Sequence, residues 1–249
     1  MKVIIHPEYR FLTDFILGLP QNFYHGGEVL YEGRNTVKRF QVDGMYVVVK
    51  KYKHPNLIQR IAYTFFKSTK TERAYEFAAL LRSKGIDTPH EVAYIETKRH
   101  GLFTTGYFVS LNSTDRDTSS QLNIRPFDHP LANALAQFLV ELHEKGVLHG
   151  DLNLTNILYH INPDGSYHFS LIDTNRSRFK KPTADECLNN LKRLTHQRDL
   201  LVYIITLYAK HRGWNAEECV HKVMRNLERF EEQRRVKRRF QDFFGIRHA

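Results

Sequence analysis

The chain has 249 residues, 41% hydrophobic and 26% charged, and its 37 Lys and Arg against 27 Asp and Glu give a formal net charge of +10. This composition excludes a disordered or collagen-like chain, and the length suffices for one large domain or two lobes. The cationic surplus favours an anionic partner: nucleic acid, an acidic membrane surface or a phosphorylated substrate.

In chain order, the opening MKVIIHPEYRFLTDFILGLP is interrupted by His6, Pro7, Glu8 and Asp14, so no signal-peptide apolar run is expected. GEVLYEGRNTVKRFQVDGMYVVVKKY has β-rich runs broken at Gly33-Arg34-Asn35 and at Asp43-Gly44, the second a hairpin signal. A small antiparallel sheet follows from these. STKTERAYEFAALLRSKGIDTP sets Ala74, Phe77, Ala78 and Leu81 on one helical stripe, with Ser68 or Thr71 as cap and Gly85 as stop. VAYIETKRHGLFTTGYFVSL reads as two more strands around His100-Gly101, and the polar run NSTDRDTSSQ marks a lobe boundary.

From Pro130 the spacing of Leu131, Leu135, Phe138, Leu139 and Leu142 predicts a helix ending at Gly146. LHGDLNLTNILYH comes next, then a Pro163-Asp164-Gly165 turn, the strand SYHFSLID, and helices from about Ala184 onward. The apolar run LLVYIITLYA is too short to cross about 30 Å of hydrocarbon and reads as a buried helix. Cys187 and Cys219 have no metal-like spacing and fit buried thiols in a reduced compartment. The expected architecture is bilobal α+β: residues 1–111 a sheet with one helix, residues 112–249 a mainly helical lobe.

LHGDLNLTNILYH carries the chemistry. Asp151 and Asn156 are short, polar and poor strand formers beside Ile157 and Leu158, and suit a proton acceptor and a metal ligand. Taken singly, each candidate has a plain explanation: Lys50 a surface lysine, Asp151 and Asn156 an Asx-turn pair, Asp173 a cap. Their joint order is the signal. A strand lysine (Lys50 in VVVK), a helix acid, a loop aspartate and asparagine (Asp151, Asn156) and a strand-end aspartate (Asp173 in SLIDTN) resemble the protein-kinase-like fold. The HGD form, with Gly150 where protein kinases carry arginine, is similar to small-molecule kinases. VVVKKYKHPN, ERAYEFAALLRSKGIDTP and CLNNLKRL resemble the lipopolysaccharide-core sugar kinases, the Kdo and heptose kinase family, over roughly residues 26–239.

That resemblance implies ATP and Mg²⁺ as cofactors and a phosphoryl-transfer division of labour. Lys50 would hold the α- and β-phosphates, oriented by Glu76 with Glu72 in reserve. Asn156 and Asp173 would ligate Mg²⁺, and Asp151 would accept or orient the proton of the attacking hydroxyl. Gly33 would lie in a thin phosphate loop. Adenine would bond backbone groups at Ser110, Leu111 and Asn112, walled by Val48 and Leu158. Asn153 stands where serine/threonine kinases carry a lysine, so Arg176 or Arg178 is expected to compensate. His149 reads as a backbone-bonding residue that stiffens the loop.

The implied activity is ATP-dependent phosphorylation of a sugar hydroxyl on a lipopolysaccharide core precursor. The enzyme would be cytoplasmic, with peripheral contact to an anionic membrane as an option. The C-terminal stretch NLERFEEQRRVKRRFQDFFG fits either an interfacial helix or a helix capping the lobe. The alternatives are a kinase of a protein or small metabolite, or a non-catalytic nucleotide- or nucleic-acid-binding protein. No nucleic-acid motif accompanies the basic patches, so no nucleic-acid partner is expected, nor an obligate protein partner.

Overall fold

A computed structural model describes residues 1–243. The chain divides into two compact units: Met1–Thr114 with Thr174–Arg176, and Asp115–Asp173 with the chain from Ser177 onward. The division falls at Thr114, three residues past the expected end of the first lobe, and the segment after Asp173 returns to the first unit.

The first unit holds β1 (Lys2–Ile5), a 3-10 turn (Pro7–Leu12), α1 (Thr13–Asn22), β2 (Glu28–Glu32), β3 (Thr36–Val42), β4 (Met45–Lys51), α2 (Leu57–Phe65), α3 (Lys70–Ser83), β5 (Glu91–Arg99) and β6 (Leu102–Leu111). Its strands form one antiparallel sheet in the order β1-β5-β6-β4-β3-β2. Asp43 and Gly44 both take left-handed φ, 48° and 79°, as the tight β3–β4 turn requires, and His100-Gly101 does the same between β5 and β6.

Strand alternation gives the sheet two different faces. Val47, Val49, Ala93, Ile95, Tyr107 and Val109 pack with Leu12, Ile16, Leu19 and Phe23, so α1 covers one face. This helix and α2 are additional to the single helix expected in the unit. Lys38 is part of the same construction, since its Nζ donates to the carbonyls of Phe23 and Gly26 at 3.0 and 2.9 Å and closes the end of α1. On the other face lies α3. Its cap is Thr69, not Ser68 or Thr71: the Thr69 hydroxyl accepts from the Glu72 amide at 3.0 Å. Thr71, Ala74, Ala78 and Leu81 are its buried stripe. A Cβ on Gly106 would stand 1.8 Å from Thr71 Oγ1, so glycine is what lets α3 sit this close to β6.

The second unit contains β7 (Arg116–Asp117), α4 (Ser119–Leu122), α5 (His129–Glu144), β8 (Val147–Leu148), β9 (Ile157–Ile161), β10 (Tyr167–Leu171), β11 (Arg178–Phe179), α6 (Ala184–Leu191), α7 (Arg198–His211) and α8 (Ala216–Phe243). Asp128 caps α5 through the Leu131 amide at 2.9 Å, and the α5 residues Leu131, Leu135, Leu139 and Leu142 are buried, as their spacing predicts. The run LLVYIITLYA lies in α7, with Leu200, Leu201, Ile204, Ile205 and Tyr208 buried. Strands β10, β9 and β7 form one small sheet, and β11 pairs with β8. Cys187 and Cys219 are free and buried, and burial pushes both thiols up. Cys219, Val223 and Leu227 fix the first half of α8 in the core, whereas residues 232–240 are exposed. The tail thus begins as a cap on the unit and continues as an exposed basic helix; residues 244–249 lie outside the described chain.

Candidate active site

The second unit assembles the loop chemistry. His149 is fully buried; its Nδ1 accepts from the Asp151 amide at 3.1 Å, so Nε2–H donates to the Ile172 carbonyl at 3.0 Å. One imidazole thus ties the loop to the strand end that carries Asp173, the stiffening role expected of it. The Asp151 carbonyl accepts from Asn156 Nδ2 at 2.9 Å and from Asn153 Nδ2 at 3.1 Å. With its NH₂ committed there, Asn156 keeps its amide oxygen for other work. The Asn156 carbonyl in turn accepts from the Ile172 amide at 3.0 Å, one step beyond the Ile157–Leu171 pair. Asn156 and Asp173 therefore sit at the same end of the β9–β10 hairpin. Asp173 takes φ 56°, a left-handed conformation uncommon for residues other than glycine, of the sort that recurs at functional positions.

Asn153 is a structural residue. Its Oδ1 accepts from the amides of Thr155 and Asn156 at 3.0 and 3.2 Å and shapes the short 3-10 turn Leu154–Asn156. Of the two cations expected to compensate for it, Arg178 faces Glu186 at 3.8 Å, and Arg176 is exposed in the first unit. The cation that meets Asp151 is one the sequence reading missed. Arg193 Nη2 lies 2.8 Å from Asp151 Oδ1, and its guanidinium carbon is 4.8 Å from the Phe230 ring centroid. Two further bonds come from the same segment: Asn190 Nδ2 donates to the His149 carbonyl at 2.6 Å, and the Leu194 carbonyl accepts from the Leu154 amide at 3.0 Å. The stretch CLNNLKRL, legible only as a resemblance, is a three-point brace on the loop. Leu158, expected as an apolar wall, is buried in β9 between Ser170 and Asp117.

The first unit carries Lys50 on β4, paired with Val37 and Phe108. It shares with Val48 the face opposite Val47 and Val49, and its Nζ lies 5.5 Å from the Tyr52 ring centroid. Gly33 is in the β2–β3 turn, its amide donating to the Asn35 carbonyl at 3.1 Å. Ser110 is inside the sheet, between Val48 and Glu91. The amides of Leu111 and Asn112 donate to the His90 and Tyr46 carbonyls, each within 3.0 Å. Sheet continuation takes up these two N–H donors.

The acids of α3 also depart from expectation. Glu76 is exposed, on the side of the helix away from the buried stripe. Glu72 accepts from Lys2 Nζ at 2.5 Å and from the Tyr94 hydroxyl at 3.3 Å. Burial pushes the Glu72 carboxyl up, but the bond and charge of Lys2 outweigh it and the net shift is downward. The buried stripe of α3 holds no carboxylate.

Comparison with known proteins gives the fold and the family. A solved structure of WaaP in complex with acyl carrier protein superposes with a TM-score of 0.60 at 19% identity, over 94% of this chain and 99% of that one. The amicoumacin kinase hAmiN, solved with AMP-PNP and Ca²⁺, gives 0.55 at 12% identity, over 89% and 86%. The fold is protein-kinase-like, and membership of a kinase family makes the chain a phosphotransferase that uses an alcohol group as acceptor. The family model "Lipopolysaccharide kinase (Kdo/WaaP) family" matches residues 26–216, and the chain belongs to that family. A 3-deoxy-D-manno-octulosonic acid kinase of Vibrio parahaemolyticus is 28% identical over 167 residues, 65% of this chain and 68% of the relative. Its counterpart in Vibrio cholerae is 28% identical over 147 residues, 56% and 62%.

Proposed function

We propose that the protein transfers the γ-phosphate of ATP to a sugar hydroxyl of a lipopolysaccharide core precursor. One observation carries the reading: Asp151, Asn156 and Asp173 are held on one short framework by His149 and by the Asn156–Ile172 bond. Family membership and the kinase-named relatives support the sugar as acceptor.

Asp151 orients the acceptor hydroxyl and takes its proton as the oxygen attacks phosphorus. Arg193 pairs with the Asp151 carboxylate and holds it in place for the acceptor. Lys50 steadies the α- and β-phosphates as a point charge. Asn156 and Asp173 present an amide oxygen and a carboxylate, hard donors that suit Mg²⁺. When bound there, the ion would neutralise charge on the β- and γ-phosphate oxygens. For the carboxylate that orients Lys50 we keep Glu76, because Glu72 is committed to Lys2. Val48 and Leu158 wall the base, and backbone groups at Ser110, Leu111 and Asn112 meet the adenine edge. The residues enclosing the acceptor belong to the protein's own specificity, Kdo, heptose or another sugar.

The test is transfer from γ-labelled ATP to Kdo-containing and heptose-containing core acceptors, to free amino sugars and to protein, with the product read by mass spectrometry. Label in the core sugar alone is the expected result; label confined to protein or to soluble amino sugars contradicts it.

A further inference from the structure

Helix α2 is built inside out. Its polar side holds it to the protein: Arg60 Nε donates to the Phe103 carbonyl at 2.9 Å, and the Thr64 hydroxyl accepts from the Phe103 amide at 2.9 Å. The Tyr63 and Phe103 rings meet at 5.7 Å. Its apolar side faces water. Leu57, Ile58, Ile61 and Phe65 fall within one stripe about 100° wide at the helical repeat, and they are 59%, 79%, 41% and 67% exposed. Phe66, at the end of the helix, is 79% exposed. No residue of α2 is buried. A helix that must only be soluble places these side chains the other way round.

The charge around the stripe has one sign. Residues 53–71 include Lys53, Arg60, Lys67 and Lys70 and no Asp or Glu. The adjoining tip of the β5–β6 hairpin adds exposed Lys98 and Arg99. An apolar ridge with a cationic rim is the pattern of an interfacial helix, in which the ridge enters the acyl–headgroup boundary and lysines reach the anionic headgroups.

We propose that α2 docks this kinase on an anionic bilayer, its stripe inserted and its basic rim against acidic lipid. The proposal deepens the glycolipid reading above and rests on it for why the enzyme should sit at a membrane. Binding requires neither nucleotide nor acceptor, so the two readings can fail separately.

The full chain is floated with phosphatidylethanolamine–phosphatidylglycerol vesicles and with pure phosphatidylcholine vesicles, as wild type and as Ile58→Glu/Phe65→Glu. The expected result is preference for the anionic vesicles, weakened by salt, and at least about a tenfold loss of partitioning in the double variant. Melting should not change, since both side chains point to water. A second variant, Ile58→Trp, should shift its emission to the blue when anionic vesicles are added. Equal binding to both vesicle types, unchanged binding by the double variant, or no emission shift would overturn the proposal. Self-association or capture of an acidic carrier protein that the double variant abolishes, without vesicle binding, would overturn it in favour of a protein interface.

Discussion

Asp151 is held twice, its carboxylate by Arg193 and its carbonyl by Asn156 and Asn153. Removing the carboxylate removes the proton acceptor, and Asp151→Asn should lower turnover by about 10²–10⁴-fold while leaving nucleotide binding intact. Arg193 acts on the acceptor hydroxyl only through Asp151, which makes it a positioning residue. Arg193→Met should cost about 10²-fold in kcat with little change in KM for ATP, and Arg193→Lys should recover part of it; a Met variant with wild-type kcat would remove Arg193 from the account. Asp151, Asn156 and Asp173 were legible because short spacing and a β-hairpin bring them together. Arg193 and Asn190 were not: their partners lie some 40 residues away, and nothing local separates Arg193 from any surface arginine.

At the scale of elements, α3 and the α5–α6–α7 cluster set the frame. Glu76 stands in RAYEFA where the resemblance implies the orienting acid, but the phase of a helix is fixed by which side packs, and Thr71 against Gly106 decides that here. Gly106→Ala should therefore displace α3 and destabilise the fold by about 1–3 kcal/mol. Thr71→Ala in the same chain should return part of the loss, since it removes the nearest atom; a calorimetric double-mutant cycle with no coupling would contradict this packing. Glu76→Gln should lower turnover, whereas Glu72→Gln should mainly lower melting temperature by breaking the Lys2 pair; the reverse assignment would exchange their roles. In the second unit, His143 Nδ1 meets the Tyr208 hydroxyl at 2.8 Å and Nε2 meets Asn190 Oδ1 at 3.1 Å. Burial lowers its pKa from 6.5 to about 4. Between those values the unfolded chain binds the proton and the folded one does not. The stability that neutral His143 contributes is thus complete above about pH 6.5 and is lost as pH falls toward 4, a change of about 3 kcal/mol. His143→Gln should flatten that acid slope in denaturant titrations, and an unchanged slope would assign the acid sensitivity elsewhere. Helix α2 escaped the sequence reading for the opposite reason, because its apolar stripe faces out and marks no core.

For the whole molecule, the division into a sheet unit and a mainly helical unit was legible from the change in periodicity near residue 112. The covering of the sheet by α1 was not, since residues 1–23 mix polar breaks with apolar positions that become regular only when packed against Val47 and Val49. Part of the net charge of +10 is internal: Lys38 closes the end of α1 and Arg193 holds the loop, so neither serves a distant anion. Basic residues around α2 and along the exposed end of α8 remain to supply an electrostatic surface. The proposal at stake is that Asp151, Asn156 and Asp173 serve phosphoryl transfer and that Lys50 steadies the phosphates of the nucleotide. Single-turnover transfer from Mg·ATP to a Kdo-containing acceptor, measured alongside nucleotide binding, tests it most directly. Asp151→Asn should bind ATP normally but transfer phosphate about 10²–10⁴-fold more slowly, whereas Lys50→Met and Asp173→Asn should be impaired in both. Transfer at the wild-type rate by Asp151→Asn, or unimpaired transfer by Lys50→Met, would contradict it.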